Sequence, residues 1–196
     1  LVDDLGWNDV GYHNENVSTP NIDRLARAGV ELDRFYVNPT CSPTRASLMS
    51  GEFATTHGVD SPVQWHSKTG LPLNHRILPH FLKSEGYSTH LVGKWHLGTT
   101  PQGFDYSKVL INWGGQGTYF NPQFCVNGVD TLVETTRHST KVIEDDCIAW
   151  LSEQRDPDKP FMLLYQFKAP HRDWRPDSMY HELFADFDFP TPKSFD

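Results

Sequence analysis

Cysteine is scarce in this sequence, and the cysteines that it has are not spaced for binding a metal. The three, Cys41, Cys125 and Cys147, form no Cys-x-x-Cys pair. Cys147 falls within a helical pattern, which favours a small core residue over a bridge to Cys125, although pairing of the two stays open. Long apolar runs are also lacking, since none approaches the length of a membrane span.

Basic residues are in deficit as well. Seventeen Lys and Arg face 25 Asp and Glu, which gives a formal net charge of −8. Nucleic acid as the main partner would need a basic surface, so this balance argues against it. An anionic substrate would have to be captured by local positive groups that act against the overall field.

The composition that is present fits one globular domain with a substantial core. The chain has 196 residues, of which 37% are apolar and 13% aromatic. Leu1-Val2 resembles the tail of a buried strand, and residues 189–196 form a proline-rich loop with no closing element. We therefore expect residues 1–196 to be part of one domain that is truncated at both ends.

Residues 40–51 place a potential nucleophile, Cys41, immediately ahead of a short helix. Ser42 is the expected N-cap, and Gly51 suits the left-handed turn that ends the helix. Arg45 would lie one turn into the helix on the side of Cys41. The free N–H groups and positive dipole of the helix start would favour an anion at Cys41. On this stretch alone, a buried thiol before a helix is the simpler interpretation.

Two adjacent carboxylates stand where the first predicted strand ends. Asp3 and Asp4 follow Leu1-Val2 and precede a glycine turn. Neighbouring carboxylates repel each other, and a hard cation such as Ca²⁺ or Mg²⁺ relieves the repulsion by taking oxygen ligands from both. An aspartate-rich turn without a metal is the alternative, because aspartate is common in turns.

Two later strands also end in charged or titratable residues. A predicted strand at 87–92 leads to Lys94 and His96, and the apolar run 161–167 leads to His171. Strands alternating with helices predict an α/β fold with a mainly parallel central sheet flanked by helices. The carboxyl ends of such strands share one rim, where ligands bind. We therefore expect these side chains, the opening aspartates and Cys41 to lie together.

The remaining elements are predicted from periodicity and turn residues. Residues 101–133 are glycine- and aromatic-rich, which indicates a large loop region with room for a hairpin. Its aromatic faces, Trp113 included, could support sugar rings or pack on the loop itself. The other predictions are a helix that starts at Pro20 and has Gly29 after it, a strand from Val30 to Val37, a loop from Gly51 to Asn74 with exposed residues, a helix from Leu78 to Gly86 and an amphipathic helix from His138 to Gln154.

Two of these stretches resemble the signatures of the sulfatase family. Cys41-x-Pro-x-Arg, followed by a small residue, two apolar residues and Gly51, resembles the first signature, in which the cysteine is oxidised to formylglycine. Residues 86–96 resemble the second, Gly-Tyr and then Gly-Lys-aromatic-His. The resemblance covers nearly the whole sequence. It implies the N-terminal part of a single catalytic domain with an alkaline phosphatase-like sandwich.

The resemblance implies a role for each candidate residue. Cys41, as hydrated formylglycine, would offer a hydroxyl to the sulfur of the substrate. Asp3 and Asp4 would bind Ca²⁺, in preference to Mg²⁺, together with the modified Cys41. Arg45 would stabilise the ionised hydroxyl, and Lys94 would neutralise charge that develops on the sulfate.

The two histidines would handle protons. His96 would act as the base on the second hydroxyl, so that the covalent sulfate ester collapses, and His171 would contact the sulfate and help protonate the leaving oxygen. Family members complete the cation site with an Asp-Asn or Asp-Gln pair and supply a further lysine, which this sequence does not offer in that context. We therefore expect residues 1–196 alone to bind Ca²⁺ poorly and to be inactive.

The function implied is hydrolysis of a sulfated carbohydrate, with aryl sulfate esters as artificial substrates. A formylglycine-generating or other sulfatase-maturing enzyme would be a partner, and a periplasmic, secreted or lysosomal location is implied. Two alternatives stay open: a phosphonate or phosphate ester hydrolase that uses the same modified cysteine, and a noncatalytic relative that binds glycans. The natural sugar and its linkage stay open too.

Overall fold

The computed structural model describes residues 1–132, 136–191 and 195. The chain divides into two compact units. The larger unit comprises Leu1–Asp4 and Val37–Arg172, and the smaller one comprises Leu5–Tyr36 and Asp173–Asp196. Every residue singled out as a candidate for catalysis or metal binding lies in the larger unit.

A five-stranded sheet forms the centre of the larger unit. Its order is β4-β3-β2-β1-β5. Strand β1 pairs in parallel with β2 and with β5, whereas β3 pairs antiparallel with β2 and β4. The sheet is therefore mixed, and the prediction of a mainly parallel sheet was wrong. For β3 and β4 the reason is local, because Asn127-Gly128 joins them as a two-residue hairpin, which forces antiparallel pairing of these two strands. The strands are β1 (Ser88–Gly93), β2 (Tyr106–Leu110), β3 (Gln123–Val126), β4 (Val129–Leu132) and β5 (Phe161–Gln166).

Helices lie before, between and after the strands. In the larger unit they are α2 (Cys41–Ser50), α3 (Ala54–His57), α4 (Leu78–Ser84), the single turn α5 (Asn112–Gly115) and α6 (Ser139–Ala149), which continues as a π-helical turn at Trp150–Gln154. The predicted amphipathic helix at 138–154 is thus confirmed. No helix in the described part of the chain is long and apolar enough to cross a membrane.

The two faces of the sheet pack against different helices. Consecutive residues of β1 point to opposite faces, so Leu91 joins a core cluster with Ala46 and Met49 of α2. Val92 joins a second cluster with Ile143 of α6. Cys147 belongs to this second cluster, and both Cys147 and Cys125 are free thiols, as the helical pattern predicted for Cys147.

The first residues of the chain extend the sheet beside β5. The amino group of Leu1 donates to the Tyr165 carbonyl at 2.8 Å, and the Asp3 amide donates to the Ala169 carbonyl at 3.2 Å. Asp3 forms an isolated parallel bridge with Pro170. This pairing delivers the opening aspartates to the edge of the sheet where β5 ends, as predicted.

Three predictions away from that edge were wrong. Residues 30–37 form no strand, because no described strand pairs with them, and Val30 and Tyr36 are both 88% exposed. The predicted loop 51–74 contains α3, whose His57 is buried, with its Nε2 3.1 Å from Ser47 Oγ. The region 101–133 contains the β3–β4 hairpin, as predicted, but it also contains the parallel strand β2, which was predicted as loop.

The smaller unit contains α1 (Pro20–Ala28) and a 3₁₀ turn (Ser178–Tyr180). Thr19 Oγ1 accepts from the Gly11 amide at 2.7 Å and donates to Asp23 Oδ1 at 2.7 Å, which ties the preceding turn to the first turn of α1. Proline at the start of α1 follows the prediction for this helix.

Candidate active site

Helix α2 begins at Cys41 itself. Thr40, in an extended conformation, is the N-cap, so the prediction that Ser42 caps this helix was wrong. The Ser42 hydroxyl is buried and donates instead to the backbone carbonyl of His96 at 2.7 Å. This bond fastens the helix start to the loop that follows β1. Gly51 ends the helix with a φ of 73°, as predicted.

The side chains of Cys41 and His96 are in contact. His96 Nδ1 lies 3.1 Å from Cys41 Sγ. The imidazole is buried, and its Nε2 has no hydrogen-bond partner among the described residues. Burial, together with the nearby cations of Lys94 and Arg45, lowers the pKa of His96 to about 3. The ring is therefore neutral at pH 7, with a nitrogen able to exchange a proton with a group at position 41.

Two buried cations converge on one buried carboxylate. Arg45 donates to Asp3 Oδ1 at 3.2 Å, and Lys94 Nζ forms a short ion pair with Asp3 Oδ2. Burial would raise the pKa of Asp3, but the charges of Arg45 and Lys94 outweigh it and hold that pKa below its ordinary value. Within this triad one positive charge has no counter-charge. Such an arrangement favours an added anion.

Two glutamines hold the cations in place. Gln166 Oε1 accepts from Arg45 at 2.8 Å, and Gln116 Oε1 accepts from Lys94 Nζ at 3.2 Å. Neither glutamine belongs to a motif that is recognisable in the sequence. Gln166 could have been found as the polar residue that ends the apolar run of β5. The setting of Gln116, between Gly115 and Gly117, gave no comparable signal.

Asp3, Asp4 and His171 form a candidate cation site. One possible ligand atom from each lies within 4.8 Å of the others. Asp4 Oδ2 is 3.7 Å from His171 Nε2, and His171 Nδ1 is 2.8 Å from the Arg172 carbonyl. Two carboxylates suit a hard cation, but Ca²⁺ takes six to eight oxygen ligands. The two carboxylates therefore fit part of such a site, whereas the ring nitrogen of His171 is not a ligand that Ca²⁺ favours.

Cys41 is not a member of that group of possible ligands. It lies close enough to the triad to raise the pKa of Lys94, which burial lowers overall. Likewise, His171 and Asp3 both act electrostatically on His96. All seven predicted site residues are thus at one edge of the sheet, and the predicted role of Cys41 as a metal ligand stays a prediction.

The chain resembles sulfatases in sequence along most of its length. Residues 1–194 match the protein family described as Sulfatase. The chain is 36% identical over 182 residues to the N-acetylglucosamine-6-O-sulfatase of Bacteroides thetaiotaomicron, which covers 92% of this chain and 31% of that protein. It is 34% identical over 209 residues to arylsulfatase J of Mus musculus, covering 94% of this chain and 34% of that protein. The chain thus spans about a third of the length of these relatives.

Solved structures show the same similarity in three dimensions. A structure in complex with its substrate D-glucosamine-2-N,6-O-disulfate superposes with a TM-score of 0.88 at 32% identity, over 98% of this chain and 38% of that one. Another, in complex with k-i-k-neocarrahexaose, gives a TM-score of 0.85 at 26% identity, over 96% of this chain and 48% of that one. The family predicted from the two signatures is confirmed: this chain belongs to the sulfatase family.

Proposed function

We propose that the intact protein hydrolyses sulfate monoesters of carbohydrates, with residue 41 as the nucleophile after oxidation of Cys41 to formylglycine. The observation that carries the proposal is the triad in which Arg45 and Lys94 share the single carboxylate of Asp3. A bound sulfate would balance the excess charge, and these cations are coupled electrostatically to His96, the residue in contact with Cys41. The site therefore combines an anion pocket with a candidate nucleophile.

Proton transfer at position 41 is the proposed task of His96. Its neutral imidazole lies against the side chain of residue 41, within reach of a proton on a hydroxyl there. The hydrate of a formylglycine carries two hydroxyls, one for attack on sulfur and one whose proton a base can remove. Without that second hydroxyl, release of the sulfate would need a separate water.

Charge neutralisation is the task of Arg45 and Lys94, and protonation of the leaving group is that of His171. Sulfate monoester hydrolysis breaks the bond between sulfur and the sugar oxygen, and that oxygen must gain a proton. An alkoxide is a poor leaving group unless an acid assists, so His171 would supply the proton. Its buried ring lies 3.7 Å from Asp4 at the same edge of the sheet.

A divalent cation, Ca²⁺ in preference to Mg²⁺, would be held by Asp3 and Asp4, with further ligands from outside this set. When bound, it would act as a Lewis acid on a sulfate oxygen. The carboxylates fit this use, since the cation would relieve the repulsion between two adjacent acids. We propose that Cys41, once modified, contributes a ligand as well.

The proposed substrate is a 6-O-sulfated amino sugar. Relatives named N-acetylglucosamine-6-O-sulfatase and N-acetylgalactosamine-6-sulfatase, the latter from Canis lupus familiaris at 32% identity, support this choice. The test is sulfate release from N-acetylglucosamine-6-sulfate by the intact protein, produced together with a sulfatase-maturing enzyme, beside phosphate release from N-acetylglucosamine-6-phosphate. We expect the sulfate ester to be the better substrate.

Each alternative function has its own outcome in this assay. Faster hydrolysis of the phosphate ester would overturn the proposal in favour of a phosphatase. Binding of the sulfated sugar without hydrolysis, with an intact thiol at position 41, would favour a noncatalytic glycan-binding protein.

A further inference from the structure

The segment 112–117 brings an exposed tryptophan to the edge of the candidate active site. Trp113 has φ 51° and ψ 47°, and Gly114 follows with φ 68°. A left-handed backbone is ordinary for glycine but uncommon for a bulky residue such as tryptophan. Such conformations persist where the surroundings fix them, and they cluster at functional sites.

Backbone hydrogen bonds hold this segment in its shape. The Gly117 amide donates to the Asn112 carbonyl at 2.8 Å, and the Gly115 amide donates to the Ile111 carbonyl at 3.1 Å. The Gly114 carbonyl in turn accepts from the Trp65 amide at 2.8 Å. The backbone at Trp113 is therefore held in place by the protein itself, which reduces the entropic cost of using this residue for binding.

The same segment touches two of the proposed catalytic residues. Gln116 accepts from Lys94 Nζ at 3.2 Å. Gly115 lies against His96, since a Cβ at this glycine would stand 3.5 Å from the imidazole Cδ2. Trp113 is thus two residues from the contact with His96 and three from the contact with Lys94.

The ring of Trp113 is not used for packing. It is 77% exposed, whereas Trp95 and Trp150 of the same unit are 2% and 8% exposed. An exposed indole offers a rigid apolar face and an N–H donor, which suit the C–H face and hydroxyls of a sugar ring. A small anion without a sugar ring would gain less from the indole than from Lys94 and Arg45.

We propose that Trp113 is a specificity-determining residue that stacks on the sugar ring of the substrate while its sulfate lies near Lys94 and Arg45. The proposal rests on the function proposed above, because it takes the bound anion to be a sulfated sugar. The segment 112–117 would then provide affinity for the sugar, and Lys94 and Arg45 would provide affinity for the sulfate.

The test is calorimetric titration of the intact protein carrying Cys41→Ala, so that binding is measured without turnover. The ligands are N-acetylglucosamine-6-sulfate and inorganic sulfate. Trp113→Asn removes the ring while suiting a left-handed backbone, and Trp113→Tyr keeps an aromatic face. We expect Trp113→Asn to weaken binding of the sulfated sugar about tenfold and Trp113→Tyr by less than about threefold, with the affinity for inorganic sulfate unchanged in both.

Three results would overturn the proposal: unchanged sugar affinity in Trp113→Asn, an equal loss for sugar and inorganic sulfate, or no binding of the sugar by the parent protein. Equal losses would mean that the substitution distorts the site. Hydrolysis by the Cys41-containing protein is measured separately. If the Cys41-containing protein hydrolyses the sulfated sugar but Trp113→Asn does not weaken binding of that sugar, the role of Trp113 is contradicted while the proposed function stands.

Discussion

Two buried histidines on or near strand β1 lie in different surroundings. His90 is within the strand, and His96 follows the last residue of the strand by three positions. His90 is stacked between Tyr106 and Trp150, with ring centroids 4.4 and 4.3 Å away. Burial lowers its pKa to about 4. His96 also has a lowered pKa, yet it lies against a thiol and has an unpaired nitrogen among the described residues. Burial and a shifted pKa are thus shared by both and do not mark a reactive residue.

The charges around the two histidines are the clearer difference. On the His90 side, Lys83 pairs with Asp105 and Lys108 with Asp146, each at 2.6 Å. Beyond the carboxyl end of β1, two cations share Asp3. A cavity of about 530 Å³ opens at the amino end, lined by His90 and Asp105 among others, and it contains none of the proposed catalytic residues. Unbalanced buried charge, and not this cavity, therefore distinguishes the proposed site.

The largest effect should come from removing the proposed nucleophile. Cys41→Ala should lower sulfate release by more than about 10⁴-fold, because no other group could take its place in attack on sulfur. Cys125→Ala, which removes a buried thiol of strand β3, should keep its rate. Both rates are measured on the matured intact protein with saturating substrate. Residual turnover in Cys41→Ala above this limit would contradict the assignment.

The two histidines can be compared through the same substitution. His96→Asn should reduce turnover by about 10²- to 10⁴-fold, since proton transfer is lost. His90→Asn should leave turnover within a few-fold and lower the free energy of unfolding by about 1–3 kcal/mol, because two ring stacks are lost. Steady-state kinetics and urea unfolding measure the two effects. An equal loss of turnover in both variants would contradict the assignment of proton transfer to His96 and of packing to His90.

Two glycines, Gly86 shortly before β1 and Gly93 at its last position, test how closely the chain is packed at the two ends of this strand. At Gly93, with φ 114°, a Cβ would lie 1.7 Å from the Gln166 carbonyl oxygen, so Gly93→Ala should lower the free energy of unfolding by about 3 kcal/mol or more. Gly86 has φ 84° and open space around its Cα, so Gly86→Ala should cost only about 1–2 kcal/mol of backbone strain. Chemical denaturation measures both, and equal costs would be inconsistent with the close approach of β1 and β5.

The pH dependence of stability should differ between the wild type and a variant that lacks His90. His90 has a folded pKa of about 4, below the ordinary value of 6.5, so the unfolded chain binds the proton first as the pH falls. Stability contributed by neutral His90 is present above pH 6.5 and is lost toward pH 4. Between pH 7 and 5 the wild type should lose about 2 kcal/mol more than His90→Phe, which keeps a ring in the stack. Parallel pH profiles of unfolding would contradict the lowered pKa.

Residues that act through a contiguous motif could be predicted from the sequence. The helix from Cys41 to Gly51 and the strand before Lys94 and His96 each carry their chemistry within a few residues, so local turn and capping rules locate them. Their assembly at one edge followed from the parallel pairing of β1 with β5.

Features that depend on distant partners could not be predicted. Gln116 and Gln166 matter only because folding brings them to Lys94 and Arg45. Strand β2 was missed because glycines and aromatics surround its short alternating run, and residues 30–37 alternate without a described partner strand. Ser42 has the composition of a cap, but its hydroxyl bonds to a carbonyl 54 residues away.

The mass of the peptide containing residue 41, taken from intact protein produced with a sulfatase-maturing enzyme, decides whether Cys41 becomes the proposed nucleophile. We expect an aldehyde in place of the thiol at Cys41, with the other two cysteines unchanged as internal controls. A peptide that keeps an intact thiol, from protein that hydrolyses the sulfated sugar, would contradict the proposed nucleophile.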